Sequence, residues 1–142
     1  MMTEESPGNQ FQQLGGEAAV RGLVERFYEL VEADADLRPV YPEDLSPGKE
    51  KLALFLIQWL GGPPAYSQVY GHPRLRRRHF PFVISELHAG RWLRHMRQAM
   101  KDQGWDAAFI STLYGNLAPL AHHMVNANDD VPREPLDNVR LT

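Results

Sequence analysis

Residues 61–82 read GGPPAYSQVYGHPRLRRRHFPF. The opening Gly61-Gly62-Pro63-Pro64 ends any helix that reaches it, because two conformationally permissive residues are followed by two that lack an N–H donor. The stretch from Ala65 to Phe82 is too long to be mere connection. Pro73 suits the start of a short helix over Arg74 to His79, and Pro81 drives Phe80 out of the α region and ends it. His79 is then expected on the last, exposed turn of that helix.

Helical periodicity lies on both sides of this stretch. Immediately upstream, Leu52, Phe55, Leu56, Trp59 and Leu60 form an apolar stripe that runs into the Gly-Pro stop. Further upstream, after Gly15-Gly16, Val20, Leu23, Val24, Phe27, Tyr28 and Val31 follow the i, i+3, i+4, i+7 template of an amphipathic helix. Downstream, Trp92, Leu93, Met96, Ala99 and Met100 make a third long stripe. A fourth comprises Phe109, Ile110, Leu113, Leu117, Leu120, Ala121 and Met124, with Asp106 as its N-cap and Pro119 expected to kink it. No strand alternation and no internal repeat occur, so the expected class is all-α. Residues 1–10 are polar and expected to be a mobile extension, residues 11–126 form the working domain, and the acidic, Pro-containing tail 127–142 is also expected to be mobile.

The chain has 142 residues, 43% hydrophobic and 23% charged, which fits one domain with one core. Fifteen Lys and Arg against eighteen Asp and Glu give a net charge of -3, so the global positive field that concentrates nucleic acid is absent. The absence of cysteine removes disulfides, thiol catalysis and Cys-bearing zinc or iron–sulfur sites together. No apolar run approaches the ~20 residues of a membrane helix, and the start resembles no signal peptide. A soluble, cytoplasmic protein is expected, with no membrane partner.

Of six histidines, none forms the His-Glu-x-x-His pattern of a hydrolytic zinc site. His79 stands apart through its neighbours: Leu75 one turn before, Phe80 and Phe82 after, and Arg76, Arg77 and Arg78 leading in. An imidazole framed by apolar groups and guanidiniums suits a flat apolar cofactor with anionic edges, and haem is such an object. A half-buried histidine in a basic surface loop fits the same composition. The arginine run also fits a local nucleic-acid patch, against which stand its shortness and the acidic chain. Tyr28, Tyr41 and Trp92 occupy or border apolar stripes while carrying a hydroxyl or indole N–H, either as core aromatics or as donors to a ligand. Gly48 and Leu52, one helical turn apart, supply no polar side-chain atom to the same region.

Taken together, ERFYELV, VYPEDL, FLIQWLGGPPAYS, GHPRLRRRHFPF, RWLRHM and HHMVN, which span roughly residues 14–126, resemble the truncated haemoglobins of the second group. The pattern GGPxxYxxxxGHPxLRxRHxPF is the most specific part. The resemblance implies a shortened globin, helices crossed two over two around one haem b, with iron held by a proximal histidine that falls on His79. His72 belongs to the same string but is not implied as the ligand. The resemblance places ligand-stabilising aromatics on Tyr28, Tyr41 and Trp92, propionate partners on Tyr66 and Arg78, and haem-packing side chains on Phe55, Leu75 and Phe82. Gly48 falls where many globins have a distal histidine, with Leu52 one turn later. Hydrogen bonding to the ligand then rests on the three aromatics, while Gly48 leaves room for an access path. Pro119 departs from the family pattern.

The function implied is reversible binding of oxygen and other diatomic ligands. Oxygen gains negative charge from ferrous iron, so donors from Tyr28 and Trp92 would slow its release. Redox catalysis on peroxide or nitric oxide with an external reductase, ligand sensing, and a cofactor-free helical module binding an acidic partner are the alternatives. A monomer or homodimer is expected.

Overall fold

The computed structural model describes residues 9–133. The expectation that residues 1–8 and 134–142 are mobile falls outside the described residues. Among the described residues every regular element is helical: α1 Gln10–Leu14, α2 Gly16–Glu32, a 3-10 turn at Arg38–Val40, α3 Ser46–Trp59, α4 Ala65–Tyr70, α5 Leu75–Arg78, α6 Glu86–Asp102 and α7 Ala107–His123. No helix among them is long and apolar enough to cross a membrane.

The four long helices follow the four stripes. In α2 the whole predicted stripe, Val20 to Val31, is buried. It meets Ala53, Leu56 and Ile57 of α3, Leu93, Met96, Ala99 and Met100 of α6, and Ile110, Leu113 and Leu117 of α7 in one core. α2 packs on both α3 and α6, and α6 packs on α7, so the four long helices are neighbours in the order α3, α2, α6, α7. Burial of these apolar faces is the dominant stabilising term. Exposed ion pairs such as Arg21 to Glu50 and Arg26 to Asp102, at 2.8 and 2.7 Å, bridge neighbouring helices and add little.

Helix ends follow local chemistry. Gly15, at a φ of 114° that favours glycine, separates α1 from α2. α3 starts earlier than its stripe, at Ser46, whose N–H donates to the Asp44 side chain at 3.0 Å. It stops at the Gly-Pro run as expected, and there Asn9 donates to the Gly61 carbonyl at 2.8 Å, tying α1 to the corner. Ser85 caps α6 and Asp106 caps α7, each accepting from the backbone N–H three residues on. α7 remains helical through Pro119. The short α1 and α4 were not anticipated, because five or six residues are too few to display a helical period and such helices depend on tertiary contacts. Gln58 supplies one of those contacts, bonding both the hydroxyl and the N–H of Ser67 at 2.9 Å.

Candidate functional site

A cavity runs between these helices, enclosing about 1320 Å³ of atom-free space, part of it open to solvent. Tyr28, Tyr41, Gly48, Leu52, Phe55, Tyr66, Leu75, Arg78, His79, Phe82 and Trp92 all line it, although they come from α2 through α6 and the connections between them. The fold therefore gathers every site residue expected from the sequence around one space. His72 is not among the lining residues; it is exposed, and its Nδ1 accepts from the Arg74 N–H at 3.1 Å. That bond steadies Arg74, whose φ of 46° lies in the left-handed region just before α5.

His79 follows the last residue of α5 and is half-buried rather than exposed. Its Nδ1 lies 2.6 Å from the Leu75 carbonyl oxygen. A carbonyl only accepts, so Nδ1 carries the proton and Nε2 keeps its lone pair. Burial pushes the imidazole pKa below its ordinary value, with the Leu75 carbonyl acting in the opposite direction. The neutral, metal-binding form is thus favoured at neutral pH.

Tyr28, Tyr41 and Trp92 form a contiguous aromatic group. The Tyr28 and Tyr41 rings meet edge to face with centroids 5.7 Å apart, and Phe27 contacts both Tyr28 and Trp92 at 5.4 and 5.3 Å. Burial pushes the Tyr28 phenol well above its ordinary pKa. Burial does the same to Tyr41, the neighbouring Tyr28 adds to it, and the Trp92 indole N–H directed at the Tyr41 hydroxyl opposes it. All three groups therefore keep their protons at neutral pH and are donors. Gly48 and Leu52 of α3 contribute no polar side-chain atom.

Near Phe55, the Tyr66 ring stands edge to face with it at 6.3 Å, and the Arg78 guanidinium lies over the Tyr66 ring at 5.5 Å. Burial raises the Tyr66 pKa, the Arg78 charge lowers it and Tyr70 raises it. Arg78 is only 4% exposed, deeper than a rim residue. It donates to the carbonyls of Pro73, Tyr70 and His72, and so holds together the turn that leads into α5.

Several lining residues had not been singled out. Leu117, Leu120, Ala121 and Met124 bring the end of the α7 stripe to the cavity, and Lys51, Asp44 and His88 add polar groups. The sequence signal for the α7 residues was present, but a stripe does not reveal whether it faces core or cavity. Lys51 had a weaker signal, lying beside Leu52 on the same helix.

These residues fit haem. The lining is largely apolar, the His79 imidazole offers a nitrogen lone pair, and the Arg78 guanidinium, Lys51 and the phenols carry the donor types that anionic edges require. Among the described residues no three His, Cys, Asp or Glu side chains are grouped to hold a metal ion.

Comparison with known proteins agrees. The family model described as bacterial-like globin matches residues 9–126. The group 2 truncated hemoglobin YjbI of Bacillus subtilis (strain 168) is 42% identical over 114 residues, covering 80% of this chain and 86% of that protein. The crystal structure of the group II truncated haemoglobin from Bacillus anthracis superposes with a TM-score of 0.83 at 40% identity, over 89% of this chain and 98% of that one. The X-ray structure of the truncated oxygen-avid haemoglobin from Bacillus subtilis gives a TM-score of 0.79 at 41% identity, over 83% and 99% of the two chains. With a matching all-helical fold and a cavity suited to haem, the chain belongs to the bacterial-like globins and, within them, to the truncated haemoglobins of the second group.

Proposed function

We propose that the chain holds haem b through His79 as the only protein ligand to iron, and that it binds oxygen and other diatomic ligands with slow oxygen release. One observation carries this reading: the His79 imidazole, its Nδ1 fixed on the Leu75 carbonyl, lines the same apolar cavity as Tyr28, Tyr41 and Trp92. When bound, haem supplies a ferrous iron that takes up diatomic ligands reversibly and gives oxygen partial negative charge. The Trp92 indole N–H and the Tyr28 and Tyr41 hydroxyls, which line the same cavity, would be the donors to such a ligand. Such donors hold a charged acceptor more firmly than a neutral one, so they favour oxygen over carbon monoxide. Arg78 and Tyr66 serve the propionates, while Phe55, Leu75 and Phe82 pack on the macrocycle. Gly48 and Leu52 add no donor of their own, and the small Gly48 leaves room for ligand access. The oxygen-avid character given to the related Bacillus subtilis protein is in keeping with slow release.

The test is a pair of substitutions read by absorption spectroscopy of the ferric, ferrous and oxygenated forms. His79→Gly abolishes stable haem retention or leaves it dependent on added imidazole, and His72→Ala leaves the Soret band nearly unchanged. The reverse pattern refutes the assignment.

A further inference from the structure

We propose that the segment 124–133 is a strap that positions His79, with Asn126 and Arg133 as its positioning residues. The connection from His79 to Ile84 contains Pro81 and no regular element; the N–H groups of His79, Phe80 and Phe82 are satisfied locally by the Arg76, Arg77 and His79 carbonyls, whereas other polar groups of its backbone take partners from outside it. Several of those partners come from beyond α7. Asn126 is fully buried, donates through Nδ2 to the His79 carbonyl at 3.1 Å and accepts at Oδ1 from the Ile84 N–H at 3.0 Å. The N–H groups of Asn126 and Ala127 both donate to the Ile84 carbonyl, at 2.9 and 3.0 Å.

Arg133 closes the strap from the other side. Its Nη1 is shared among the carbonyls of Phe80 and Phe82, at 3.1 and 3.3 Å, and Asn126 Oδ1 at 2.8 Å. Its Nη2 donates to the Asn126 carbonyl at 2.8 Å. One guanidinium fork thus serves the His79 loop and the residue that grips it, an arrangement a lysine ammonium cannot reproduce. α5 is tied to the same segment through Arg76, which donates to the carbonyls of His123 and Val125 at 3.0 and 3.3 Å and pairs with Asp129 at 2.5 Å. Arg133 lies beyond residues 9–126, the region matched by the family model. The His79 imidazole is fixed at two points. Leu75 of its own helix orients the ring, and the strap fixes the backbone that carries it. Groups that orient a metal ligand tune both its retention and its bond to the metal.

The inference rests on the reading of His79 as the iron ligand. Its test uses the full-length holoprotein with Arg133→Ala, Arg133→Lys and Asn126→Asp; the last keeps the acceptor for Ile84 and deletes the donor to His79. Three quantities are read: the iron–histidine stretching band of the ferrous unliganded form, haem transfer to an acceptor protein, and hydrogen exchange of the Ile84 amide. Arg133→Ala is expected to shift or broaden the band, speed haem loss roughly fivefold, the factor that corresponds to one net hydrogen bond, and raise Ile84 exchange by a similar factor. Arg133→Lys falls between this variant and the parent, and Asn126→Asp also shifts the band. The ratio of oxygen to carbon monoxide dissociation rates stays at its parental value, because Tyr28, Tyr41 and Trp92 are untouched. An unmoved band in both Arg133→Ala and Asn126→Asp overturns the positioning role, whatever happens to exchange. A band that survives in His79→Gly overturns the His79 reading instead, so the two failures are distinguishable.

Discussion

Replacing Trp92 with Phe deletes one N–H and keeps most of the ring that packs against Phe27 at 5.3 Å. A hydrogen bond to a charged acceptor contributes about 1.5–3 kcal/mol, and one to a neutral acceptor about 0.5–1.5 kcal/mol. The indole N–H of Trp92 is directed at the Tyr41 hydroxyl, so a neutral acceptor stands ready when a ligand departs. The substitution therefore removes the surplus of the charged bond over the neutral one, about 1–1.5 kcal/mol. That corresponds to oxygen dissociating roughly five- to tenfold faster. Stopped-flow displacement of oxygen by carbon monoxide, and of carbon monoxide by nitric oxide, measures both rates on the same preparation. Carbon monoxide dissociation should change much less, because it places little charge on the outer atom. Equal acceleration of the two ligands would make Trp92 a steric gate and refute the hydrogen-bond argument. No change in either would leave it a packing aromatic.

Arg78→Leu combined with Tyr66→Phe should speed haem transfer to an acceptor protein. Because Arg78 is 4% exposed and bonds three loop carbonyls, the change should also lower unfolding free energy by about 1–3 kcal/mol, measured by urea titration of the haem-free chain. Unaltered haem loss would exclude a propionate role for the pair. Asp34 is a buried carboxylate whose desolvation is outweighed by His95 at 2.6 Å, the N–H groups of Asp36 and Leu37, and Arg91 at 3.1 Å, so its pKa falls well below the ordinary carboxylate range. A depressed folded-state pKa contributes stability that is complete above the unfolded value of about 3.9 and is lost as pH falls below it. Asp34→Asn should therefore cost about 1–3 kcal/mol at pH 7, less than for a fully sealed pair because Arg91 keeps 25% exposure. The gap between parent and variant should narrow as the pH of the urea titration is lowered from 5 toward 3, and a gap independent of pH would exclude the ionised pair as its source.

Much of this molecule is legible in local sequence. The Val20 to Val31 stripe, the Gly61-Gly62-Pro63-Pro64 stop and the Asp106 cap each act over a few residues, and the structure reproduces all three. The string around His79 pointed to the cavity because its specificity lies in contiguous residues. Composition could not choose between a haem ligand and a surface histidine. What decided the surroundings of that histidine was tertiary contact. Arg78 reads in the sequence as one of a run of arginines, yet the turn of Tyr70 to Pro73 folds over it and draws its guanidinium inward. Leu117, Leu120, Ala121 and Met124 continue a core stripe, and only the packing of α7 among the other helices determines that this end faces the cavity. The residues after 126 read as an aperiodic, charged tail, but Asn126 and Arg133 bond to backbone groups 47 and 53 residues away. Periodicity and capping report interactions within one or two helical turns, whereas a hydrogen bond across such separations exists only once the packed helices have brought its two ends together.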